Sequence, residues 1–218
     1  MPEASQILEG LTQAAAWGRP LALGWHIIML AALIALLVGW RPTRRLAGTL
    51  LALPLLSVAA MAWIVGNPFN GIVFGAVAVL LIALAARLPH DTVQGGSVWT
   101  TVAGVVMVAL GWTYPHFLDG AALTTYLYAA PFGLVPCPTL SGVMGFALLG
   151  DGLRNRPWSL ALAVTGLFYA LVSAFRLGVR LDLLMLIGVV ALMVRAISAS
   201  YPHAVSNRQG SHAMSADG

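Results

Sequence analysis

The stretch Pro131-Phe132-Gly133-Leu134-Val135-Pro136-Cys137-Pro138-Thr139 sits inside an otherwise apolar run from Ala121 to Gly150. Three prolines and a glycine do not fit one continuous helix, because each proline removes a backbone donor and its ring clashes with the preceding turn. In hydrocarbon a break of that kind survives only where protein or a wet cavity satisfies the freed carbonyls. The run therefore reads as a broken transmembrane helix. As two helical halves, residues 121–131 rise about 16 Å and 139–150 about 18 Å. That arithmetic puts Pro136, Cys137 and Pro138 near the bilayer midplane, with a second half-helix starting near Thr139.

The rest of the chain fits that reading. Of 218 residues, 60% are hydrophobic and 8% charged, a balance expected of a polytopic membrane protein rather than a soluble domain. Seven apolar segments can be drawn, at about 20–40, 47–66, 70–87, 98–114, 121–150, 158–175 and 182–198. The predicted fold class is all-α: one bundle of about seven transmembrane segments (20–198), the fifth broken near the midplane. A short polar segment (1–19) precedes it and a polar, small-residue tail (199–218) that reads as disordered follows. Met1 to Arg19 lacks the charged start and apolar core of a signal peptide, so the first segment is expected to act as its own insertion signal. Asn67-Pro68-Phe69-Asn70 reads as a tight turn between segments two and three.

All eleven basic residues are arginine. With the N-terminus outside, Arg41, Arg44, Arg45, Arg87, Arg154, Arg156, Arg195 and Arg208 face the cytoplasm, against Arg19, Arg176 and Arg180 outside. That asymmetry predicts an N-out, C-in topology. Trp40, Trp99 and Trp158 mark the cytoplasmic boundary in this scheme, and Trp17, Trp25, Trp63 and Trp112 the other. Arginines scattered at segment ends are topology signals, not a polyanion-binding face, so nucleic acid is not a predicted partner. The predicted partners are the lipid bilayer and other membrane proteins or a second copy of the chain.

Candidate site residues fall into two groups. Pro136, Cys137, Pro138 and Thr139 line the break. Unpaired amides at the new helix start carry partial positive charge, which Thr139 or Ser141 can satisfy. Cys137, the one cysteine, has the softness of a metal ligand or the plainness of a small buried hydrophobe. The second group lies towards the outer face: His26 inside segment one, His116 and Asp119 in the loop after segment four, with Asn67, Asn70, Tyr114, Arg176, Arg180 and Asp182 nearby in the scheme. A titratable group inside a membrane segment is costly and marks a functional-site hypothesis. His26, His116 and Asp119 have no metal-ligand spacing signature, so no metal or cofactor is predicted. No acid sits mid-segment, which lowers the weight of ion-coupled transport. No HExxH, P-loop, CxxC or paired catalytic carboxylates occur, and catalysis is not expected.

Gly66-Asn67-Pro68-Phe69-Asn70-Gly71-Ile72-Val73-Phe74-Gly75, and Tyr114-Pro115 followed by Pro131 through Thr139, resemble an uncharacterised family of bacterial multi-pass membrane proteins. That family pairs an Asn-Pro turn after segment two with a Tyr-Pro and a Pro-Cys-Pro-Thr further on. The resemblance runs from about Trp17 to about Leu149. It departs where the family carries a histidine close before Tyr-Pro and a second threonine after Pro-Cys-Pro-Thr; here those places hold Trp112-Thr113 and Leu140. The resemblance implies a bacterial inner (cytoplasmic) membrane location and supplies no activity. The leading functional expectation is binding or passage of a small solute at the break, with His26, His116 and Asp119 guarding its outer mouth. A structural or accessory subunit of a membrane assembly is the alternative, and a metal-handling or thiol-active protein a third.

Overall fold

The computed structural model describes residues 3–117 and 123–198. Asp119 and the 199–218 tail lie outside the described residues. Those described are helical, without strands: α1 (Ala4–Trp17), α2 (Arg19–Leu37), α3 (Arg44–Ile64), α4 (Pro68–Ala86), α5 (Val98–Thr113), α6 (Tyr126–Ala129), α7 (Pro136–Leu149), α8 (Arg156–Arg176) and α9 (Met185–Ser198). Short 3-10 turns at Leu123–Thr125, Asp151–Arg154 and Arg180–Leu184 join them. Five helical stretches are long and apolar enough to cross a bilayer: α2, α3, α4, α8, and α9 together with the 3-10 turn before it. Helices α5 and α7 are apolar but shorter.

Helix α7 is the axis of the bundle. Twelve of its fourteen residues are buried, which suits a helix that is apolar on every side. It packs against α3, α5, α8 and α9. Contact with α5 is backbone to backbone. A Cβ on Gly111 would sit 2.6 Å from both the Gly142 nitrogen and the Pro138 oxygen, and one on Gly145 would sit 2.6 Å from the Val108 nitrogen. Small residues at such crossings let membrane helices approach closely.

Helix starts follow capping chemistry. The side chains of Thr43, Asn67 and Asn155 accept from the backbone amides of Leu46, Asn70 and Trp158, each satisfying one bare donor of a first turn. Asn67-Pro68 is therefore the cap and first residue of α4 rather than a separate turn, with proline at the position where its missing N–H costs nothing.

Several features differ from the sequence reading. The N-terminal segment is a helix, α1, burying Leu11, Ala14 and Ala15. Trp158 is a fully buried core residue, not a boundary anchor. The broken segment is asymmetric. Among the described residues its first part holds only a 3-10 turn and the four residues of α6, whereas α7 begins at Pro136, three residues before the expected start. Fourteen residues rise about 21 Å, so α7 is longer than the half-helix expected of the second part. Its start lies level with the end of α5, against Gly111, rather than halfway along its neighbours.

The candidate site, a buried acid and thiol beside the helix break

The break is buried and internally satisfied. Ala129 through Gly145 are all buried. Pro131 to Leu134 form a turn closed by Leu134 N–H on the Pro131 carbonyl at 3.2 Å, with Gly133 at φ +75°. That dihedral suits glycine at the third turn position. Phe132 fills the space over Gly142, where a Cβ would lie 2.3 Å from its ring, and meets Trp25 of α2 edge-on at 6.2 Å. Thr139 points back into the break: its hydroxyl accepts from Gly133 N–H at 2.8 Å and donates to the Val135 carbonyl at 2.7 Å. Ser141 donates to the Met107 carbonyl of α5 at 2.8 Å. Thr139 and Ser141 thus tie backbone together.

Cys137 faces a different cluster, one that hydropathy does not reveal. Asp182 is 0% exposed although it lies in the short turn before α9. Its Oδ1 accepts from the Tyr114 hydroxyl at 2.6 Å, and its Oδ2 from the Ser173 hydroxyl. The Cys137 thiol is in side-chain hydrogen-bond contact with both Asp182 and Ser173. Four elements therefore converge on one carboxylate: the end of α5, the start of α7, the last turns of α8 and the turn before α9. A buried carboxylate needs donors of this kind, since an unpartnered one is far too costly in a medium without water. The first turn of α7 beside it contributes the positive end of the helix dipole.

The cluster extends sideways. Tyr169 of α8 donates to Asn70 Oδ1 of α4 at 2.8 Å. Asn70 and Pro136 in turn line a narrow cleft with room for about one water-sized molecule. Val58, Ala62, Val65, Asn67 and Leu134, with Leu11 and Ala14 of α1, complete the lining of that cleft.

The other predicted residues are distributed as follows. Pro136 lines the cleft, Cys137 the acid cluster, and Pro138 the crossing with α5 through its carbonyl. His26 is buried between α2 and α5, with Nδ1 2.8 Å from the Ala22 carbonyl and Nε2 3.0 Å from the Trp112 carbonyl. A neutral imidazole has one N–H and can serve one of those carbonyls at a time. His116 stacks edge-on against Phe117 at 4.3 Å. Among the described residues no three His, Cys, Asp or Glu side chains gather as a metal site. Sequence reasoning missed Ser173 and Tyr169, which look like ordinary small and aromatic positions of a helix. It placed Asp182 in an outer loop. The available signal was Asp182 beginning an apolar run, a position where an acid has to be either solvated or partnered.

Comparison with protein-family models, curated proteins and solved structures finds no match.

Proposed function

We propose that this chain is a seven-segment integral membrane protein that binds a small polar solute beside its broken fifth segment. In this reading α5 and α7 complete the seven spans, the arginine-rich face is cytoplasmic, and the protein resides in a bacterial inner membrane. The single observation that carries the reading is the placement of the cleft. It is lined by Leu11 and Ala14 of α1, by the last turns of α3 and by Asn67, and it reaches Pro136 and Asn70. Pro136 is the residue before Cys137, whose thiol is in side-chain hydrogen-bond contact with Asp182. A solute in the cleft is thus one side chain from the Asp182 carboxylate. The Asn67 and Asn70 amides in the lining, with the Asp182 carboxylate one side chain deeper, favour a small ligand that brings hydrogen-bond donors. No catalytic step is part of this reading.

The test is labelling of Cys137 in intact cells with a membrane-impermeant maleimide. The expected result is slow labelling that Ala62→Trp blocks, because Ala62 lines the cleft, and that Leu134→Ala accelerates. Labelling confined to denatured protein would overturn the reading. A second reading, an accessory subunit of a membrane assembly, is favoured by α2. Only Ala22, His26 and Met29 of its nineteen residues are buried, so most of its surface is free for lipid or another protein. Crosslinking from Ile34, exposed on α2, to a defined protein would support that reading over the first.

A further inference from the structure

His26 is the one ionisable side chain buried in α2, and it takes no part in the cleft. Both of its ring nitrogens face backbone carbonyls, Nδ1 that of Ala22 at 2.8 Å and Nε2 that of Trp112 at 3.0 Å. Neither acceptor has a hydrogen to offer in return. A neutral ring carries one N–H, so in either tautomer the other nitrogen aims a lone pair at an oxygen held at hydrogen-bonding distance. Only the imidazolium, with two N–H groups, serves both carbonyls at once.

The two carbonyls differ in what else they have. Ala22 lies one turn back in α2 itself, within the helical ladder. Trp112 lies in the last turn of α5, where carbonyls have no intrahelical partner. The amide four residues on, that of His116, donates to the Tyr114 carbonyl at 2.9 Å instead, and the His26 ring takes its place at Trp112. A helix end of this kind carries partial negative charge, which favours a cation beside it. Few other ionisable groups surround the ring. Helix α5 has none, α6 has Tyr126 and Tyr128, and Arg19 on α2 and Glu9 on α1 are exposed. With no carboxylate on α2, α5 or α6, a proton on His26 answers to backbone carbonyls and not to an acid. The contact also has leverage. The adjacent Trp25 covers the break: a Cβ on Gly133 would lie 2.2 Å from its ring, and its Nε1 donates to Ser57 of α3 at 3.0 Å. On the other side the Trp112 indole donates to the Leu127 carbonyl of α6 at 2.8 Å. His26 thus fastens α2 to the end of α5 and, through Trp112, to the stretch that leads into the break.

We propose that His26 is a proton-binding site whose charge state sets how firmly α2 is held to the end of α5 and over the break. With the proton in place both bonds form and the clasp is closed. As pH rises and the proton leaves, one of the two bonds becomes a contact between lone pairs and the clasp loosens. The inference uses neither the cleft nor a solute, so failure of the Cys137 test leaves it intact. The experiment follows amide hydrogen exchange of the full chain in a neutral detergent from about pH 5 to about pH 8, where histidine ordinarily changes charge. Rates are corrected for the intrinsic pH dependence of exchange. Corrected exchange in α2 and in residues 126–135 is expected to rise about tenfold towards the alkaline end, the size of one lost buried hydrogen bond. That in α4 and α8 should not change. His26→Gln, which has no titrating ring, should exchange alike at both ends, and His116→Gln should keep the parent's response. A response that survives in His26→Gln, or that vanishes in His116→Gln, would overturn the proposal. Should His26→Gln fail to fold, nitrogen-15 NMR decides, on a chain whose other histidines are replaced by glutamine. The His26 ring is expected to pass from two protonated nitrogens to one across the same range, and a ring that keeps one neutral tautomer throughout refutes the clasp.

Discussion

Replacing Thr139 by valine removes one oxygen and keeps the shape, which makes it the cleanest probe of how the break is held. The hydroxyl bridges Gly133 N–H and the Val135 carbonyl, at 2.8 and 2.7 Å, in a region with no exposure to solvent. Thr139→Val leaves the Gly133 donor buried and without its partner, at a cost of about 1–3 kcal/mol. The Val135 carbonyl loses less, because a carbonyl at a helix start has other acceptor geometry to use. For a chain of this size each kcal/mol moves the unfolding midpoint by about 2–4 °C, so a drop of roughly 2–12 °C is expected. Thr139→Ser, which keeps the oxygen and loses a methyl, should fall well short of that. Thermal unfolding of the three proteins in one detergent measures it. A serine variant less stable than the valine variant would refute the argument, since it would mean that Thr139 acts through its methyl group and not through the bridge.

Further outcomes follow from the same geometry. Gly111→Ala puts a Cβ 2.6 Å from two backbone atoms of α7, so the helices must separate; a loss of about 1–3 kcal/mol should appear in thermal unfolding. Gly152→Ala forces a side chain into the left-handed turn of Asp151–Arg154 at φ +63° and to 2.8 Å from the Ser159 hydroxyl. It should cost about 1–2 kcal/mol for the backbone alone, read as a lower unfolding temperature. Asp182→Ala leaves the Tyr114 and Ser173 hydroxyls buried without their acceptor, about 1–3 kcal/mol for each, again read from unfolding.

The apolar segments were legible because a run of some twenty apolar residues fits a bilayer-spanning helix and little else. Their starts were less so. Segments two, three and six begin at Arg44, Pro68 and Arg156, polar or imino residues that a hydropathy run excludes but a capped first turn accepts. Position 182 shows the deeper limit. An aspartate at a segment end reads as solvated, and nothing local to Leu181-Asp182-Leu183 says that Tyr114 and Ser173 will meet it from 68 and 9 residues away. The left-handed turn carried only Asp151-Gly152 as a cue. Leu153 and Arg154 adopt positive φ because Arg44 holds their carbonyls, Ser159 the Gly152 carbonyl and Arg195 the Asp151 carboxylate, which is tertiary information. The break itself was readable from its prolines, yet its depth was not. Counting residues assumes two helical halves, and the first half is spent instead on the folded cover of Ala130 to Val135.

Why the chain keeps a polar cluster at this place bears on its purpose. A buried ionic or polar network is often no more stable than well-packed apolar side chains of similar volume, although removing one member alone is costly. The cluster of Tyr114, Cys137, Ser173 and Asp182 joins four helical elements, a task that leucine and phenylalanine do well in any core. The triple variant Tyr114→Phe, Ser173→Ala, Asp182→Leu separates the two purposes. It removes the hydroxyl donors together with their acceptor, so no orphaned hydroxyl remains, and it keeps most of the volume. If the cluster serves only to hold the fold, the triple variant should unfold within about 1–2 kcal/mol of the parent, far milder than Asp182→Ala, and solute binding at the cleft should persist unchanged. If the carboxylate reads the solute, stability should hold and binding should be lost. Binding retained in a stable triple variant would refute the role given to Asp182 while leaving the cleft in place, and would move the search for the recognition element to Asn70 and Tyr169.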